Sequence, residues 1–136
     1  MIGENMDKED EFVADYVQEF SALEFGRYSK DVILRDLKAK MDEFYDKYED
    51  ETELAEDFEN WLENYEVASL SYKDWEDFVE RHKSAIDELL EEDGIKIDLE
   101  NELEDAETDN ERKEVLEEMV HNALFEYAYD YYSGKR

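Results

Sequence analysis

The sequence predicts an all-α fold, as a single compact domain over residues 1–136 with about five main helices and a short acidic helix near residues 98–106. Three observations predict it. Apolar residues recur at spacings of three and four along most of the chain, the period of one helix face. Proline is absent and glycine occurs only four times, so few positions interrupt a helix. At Ser71 and Thr108, an acidic residue follows three positions later and an apolar run comes next, a helix-start signal.

The first stripe is Phe12, Val13, Tyr16, Val17, Phe20 and Leu23, closed by Gly26, a residue that readily takes the left-handed conformation of a helix C-cap. Ser29 caps a second helix carrying Ile33, Leu34, Leu37, Met41, Phe44, Tyr45 and Tyr48. Thr52 caps a third with Leu54, Phe58, Trp61, Leu62 and Tyr65. Ser71 and Asp74 form a capping box with Asp in place of Glu, ahead of Trp75, Phe78, Val79, His82, Ile86, Leu89 and Leu90. Gly94 stops that helix. Ile95-Lys96-Ile97 alternates as a strand does but is too short to build a sheet. Asp98–Ala106 reads as the short acidic helix, anchored by Leu99, Leu103 and Ala106. Thr108 and Glu111 then open the most regular stripe: Val115, Leu116, Met119, Val120, Ala123, Leu124, Tyr127, Ala128 and Tyr131. Residues 133–136 read as a frayed basic tail.

Forty-four acids against fifteen bases give a formal charge of −29. Acidic excess with few aromatics marks a disordered tail. Here 10 Tyr, 7 Phe and 2 Trp are threaded among the acids. Leu, Ile, Val and Phe number 31 of 136, just above the level of about 20% that accompanies disorder at high charge. Each aromatic buries on the order of 150–250 Å², which places the chain on the folded side. Self-repulsion of the surplus charge weakens the compact state most at low ionic strength, so salt is expected to stabilise the fold.

The charge is uneven. Residues 29–50 and 112–136 are nearly balanced, at −2 and −1, whereas residues 51–68 hold seven acids and no base. Residues 95–111 hold eight acids and one base. Like charges at i,i+3 or i,i+4 destabilise a helix by a few tenths of a kcal/mol per pair. A sequence shaped only for folding intersperses Lys in such runs. Two ridges are therefore candidate partner-binding surfaces: Glu53, Glu56, Asp57, Glu59, Glu63 and Glu66, and Asp98, Glu100, Glu102, Glu104, Asp105 and Glu107. The bland alternative is an ordinary solvated helix face, which is what most single charge runs are. DNA-binding proteins hold the duplex mainly through Lys and Arg on its phosphates. Carboxylates at helical intervals suit the same basic clefts. The expected partner is thus a nucleic-acid-binding protein, with no direct nucleic acid and no membrane. An acidic adaptor or chaperone that binds a basic protein segment without displacing nucleic acid fits the same charge.

In size, acidity, aromatic content, helical character and lack of Cys, the chain resembles the phage-encoded DNA-mimic proteins that disarm host defence, the anti-restriction proteins and acidic anti-CRISPR proteins. The resemblance spans the whole chain and rests on no signature motif, so it transfers no residue role. It implies a stoichiometric inhibitor, often dimeric, that fills the nucleic-acid site of a restriction or CRISPR enzyme.

Catalytic and cofactor readings find little support. Glu118-Met119-Val120-His121 is an E-x-x-H step of the di-iron type, but the second step is missing because Val79 stands three residues before His82. His121 and His82 read as residues at the edge of the apolar stripe. Around Gly94 a calcium loop would put Leu89 where its first Asp belongs, although Glu100 falls correctly at position twelve. Residues 133–136 lack the upstream glycine of a phosphate-binding loop. With two His, no Cys and carboxylates everywhere, no acid–base pair stands out. The expectation is a non-enzyme without cofactor or metal. Lacking a cationic start with an apolar run, and any stretch of about 18 apolar residues, it is expected in the cytoplasm. Tyr28, Tyr72, Tyr129 and Tyr132 lie off the main stripes and are candidate contact residues.

Overall fold

The computed structural model describes residues 8–20, 29–47, 51–63, 71–91 and 94–134. They form seven helices, with no strand among the described residues: α1 (Lys8–Phe20), α2 (Lys30–Lys47), α3 (Glu51–Glu63), α4 (Tyr72–Arg81), α5 (Lys83–Leu90), α6 (Ile95–Asp105) and α7 (Asp109–Tyr132). The class is all-α. The chain groups into two compact units, Met1–Ala68 with Leu124–Arg136, and Ser69–Ala123. Leu23, Gly26, Tyr28, Tyr48 and Tyr65 lie outside the described residues.

In the first unit, α1 is buried on every side from Phe12 to Val17, which is more than the single stripe predicts. Asp15 lies inside that stretch at 7% exposure. Burying a carboxylate is costly unless a charge and hydrogen bonds meet it, and Lys30 Nζ does so at 2.9 Å while also reaching Glu11 at 3.3 Å. The hydrogen bond to Asp15 holds the Lys30 ammonium above its usual range. Ser29 caps α2 as expected: its Oγ accepts from the Val32 N–H at 3.4 Å and its carbonyl from the Ile33 N–H at 3.1 Å. Helix α2 buries Ile33, Leu34, Leu37 and Met41 and packs against α1 and α3. Helix α3 buries Leu54 and Phe58, with Trp61 stacked on Phe58 at 6.2 Å. It already begins at Glu51, so Thr52 stands within its first turn and not ahead of it.

Two phenols tie the end of α7 into this unit. Tyr127, fully buried, donates to Asp10 of α1 at 2.6 Å. Tyr131 donates to Asp42 of α2. Burial first, and Asp42 second, push the Tyr131 phenol up to about 12. The fold therefore favours the neutral phenol. Its contribution is fully present below the ordinary value of 10.0 and is lost as pH rises through about 12. Tyr131→Phe is expected to flatten the fall in urea midpoint across that interval; an unaltered slope would contradict the assignment. Tyr129 and Tyr132 are half-buried, the latter 4.9 Å from Tyr45, so they offer less free surface than their off-stripe positions predict. Gly134, at φ 83°, turns the chain after α7, and its N–H donates to the Tyr131 carbonyl at 3.2 Å, while residues 135 and 136 lie outside the described residues.

In the second unit, the Ser71 capping box is complete. Ser71 Oγ accepts from the Asp74 N–H at 3.3 Å, and Asp74 Oδ2 accepts from the Ser71 N–H at 3.0 Å. Trp75 and Phe78 are buried behind it. The helix expected to run on to Leu90 is divided at His82, whose backbone opens to φ −113°, ψ 22°. Phe78, His82 and Ile86 are spaced by four, so the stripe survives the kink: His82 is 8% exposed, with its ring 4.7 Å from Phe78. It is a buried residue, where its position at the stripe edge predicts a boundary. The Ile95–Ile97 segment is the first turn of α6, not a strand. Ile95 and the buried Leu99 are four apart and set the helical period, while Ile97 is left 61% exposed. Gly94 stands at the N-cap of α6 at φ 69°, a left-handed conformation that glycine adopts at little cost, while α5 already ends at Leu90, ahead of the stop expected at Gly94. Thr108 caps α7 through the Glu111 N–H at 3.1 Å. All eight stripe residues of α7 from Val115 to Ala128 are buried.

Candidate functional site

The two acidic ridges fall in different units. On α3, Glu53 and Glu56 are exposed and Asp57 is half-buried, while Leu54 and Phe58 are buried. Glu59 and Glu63 lie further along the same helix, and Glu66 is outside the described residues. On α6, Asp98, Glu102, Glu104 and Asp105 are exposed, as is Glu107 in the link to α7. Glu100 differs from its neighbours: it is half-buried and lies 3.8 Å from Lys83.

The structure gathers part of the second ridge into a groove of about 290 Å³. Glu102 and Asp105 come from the end of α6, Ala106 from its C-cap, and Glu111, Glu114, Val115 and Glu118 from the first half of α7. The short link between the helices brings these two sets face to face. Five carboxylates thus converge over a small apolar floor of Ala106 and Val115. Glu111, Glu114 and Glu118 were not among the expected contact residues. Their spacing of three and four does place them on one face, which is the signal that identifies them.

The bases in this part of the chain pair with acids outside the groove lining. Lys83 and Lys96 pair with Asp87 at 3.8 and 3.4 Å. Arg112 pairs with Asp109 at 2.8 Å and donates to the Ala106 carbonyl at 3.5 Å, which staples the α6–α7 link. Lys113 lies 3.8 Å from Glu117. None of these four bases lines the groove. Among the described residues, no ion pair reaches Glu102, Asp105, Glu114 or Glu118. The result is a concave surface of one sign, with its carboxylates presented to solvent.

The two ends of the E-x-x-H step have different surroundings. Glu118 lines the groove, while His121 packs edge-on against Trp75 with centroids 6.2 Å apart. Tyr72, a candidate contact residue, is half-buried, and its hydroxyl donates to Glu76 at 2.7 Å; that hydrogen bond raises the phenol above its usual range. None of the described helices is long and apolar enough to cross a membrane. No protein-family model, curated protein or solved structure matches this chain.

Proposed function

We propose that this chain is a stoichiometric nucleic-acid mimic, which occupies the basic DNA- or RNA-binding cleft of a host defence enzyme of the CRISPR or restriction type and so excludes the polynucleotide. The observation that carries the reading is the α6–α7 groove, where five carboxylates from two helices converge and no base joins the lining. Along α7, Glu111, Glu114 and Glu118 advance about 4.5 and about 6 Å at 1.5 Å per residue. A DNA strand carries one phosphate per roughly 3.4 Å of axis, so the helix presents a line charge of the same order. The end of α6 adds a second row beside it. A cleft built from Lys and Arg meets this array as it meets a phosphate backbone, and binding releases the counterions that either would hold. No bond is made or broken. Because many charges share the contact, single substitutions have small effects.

Displacement tests this reading. Fluorescently labelled DNA is bound to a Cas9-type effector or a restriction endonuclease, and the protein is titrated in while anisotropy reports the bound fraction. Release complete near one equivalent per cleft is expected for at least one enzyme of these classes. A ternary complex that keeps its DNA would overturn the mimic reading in favour of an adaptor that binds basic protein segments.

A further inference from the structure

We draw no further inference here: the strongest candidate, the carboxylate-lined groove between the end of α6 and the first half of α7, belongs to the surface already described, and as a cluster of acidic side chains it points to no second ligand.

Discussion

Replacing Glu102, Asp105, Glu114 and Glu118 together by their amides is expected to raise the stability of the fold and to weaken partner binding. The two effects run in opposite directions from one cause. Glu114 and Glu118 are four apart on α7, and Glu102 and Asp105 three apart on α6, so each pair destabilises its helix by a few tenths of a kcal/mol. Neutralising all four relieves these pairs and the repulsion across the groove, for a gain of about 1 kcal/mol. Glu111 is left in place, since it belongs to the Thr108 cap and favours the N-terminus of α7. At a basic cleft each carboxylate contributes about 0.5–1 kcal/mol when exposed. Loss of four therefore lowers affinity by about two orders of magnitude, and flattens the dependence of log K on log salt. Thermal unfolding and the displacement titration measure the two sides. A variant that is more stable and still displaces DNA with unchanged affinity would remove the groove from the contact surface.

Trp75→Ala is expected to lower stability by about 3–5 kcal/mol, the usual cost of emptying a large aromatic site. Trp75 is 2% exposed on α4 and packs edge-on against His121. Domains of this size have only about 5–15 kcal/mol in reserve, and the charge of −29 reduces it further at low salt. The variant should lose cooperative unfolding near 10 mM NaCl and recover it near 0.5 M, where the screening length is below about 10 Å. Circular dichroism melts follow this directly. A midpoint lowered by only a degree or two, or one indifferent to salt, would mean that aromatic burial and self-repulsion do not set the balance.

Local signals made much of the fold legible. Ser29, the Ser71–Asp74 box and Thr108 are read from side chains that bond to backbone within three residues. The α7 stripe is legible because eight buried positions repeat without a break. Two helix boundaries differ from the sequence reading for physical reasons: α6 begins at Ile95 and not at Asp98, and the fourth helix is divided at His82. Ile95 and Ile97 alternate, but Leu99 supplies the burial, and its four-residue spacing from Ile95 sets a helical period. The kink at His82 leaves the Phe78–His82–Ile86 spacing intact, so the pattern of burial does not record it.

The groove was harder to read. Counting charge by segment hid it, because residues 112–136 come out nearly neutral. Arg112 and Lys113 supply two of the four bases in that count, Lys135 and Arg136 the others, yet Arg112 and Lys113 pair with Asp109 and Glu117 and leave the Glu114–Glu118 face acidic. A segment sum averages over faces that only tertiary structure separates. Glu102 and Asp105 were legible as ridge members, but their meeting with Glu111, Glu114 and Glu118 depends on how α6 turns into α7.

Amide hydrogen exchange at 0.15 M NaCl, read residue by residue along α6 and α7, bears most directly on whether these carboxylates are held in place. Protection factors rising well above unstructured values from Val115 to Tyr127, with measurable protection around Leu99, are the expected result. Exchange at the rate of an unfolded chain through both helices would leave the carboxylates on a fluctuating coil, and a surface able to stand in for a polynucleotide would not exist.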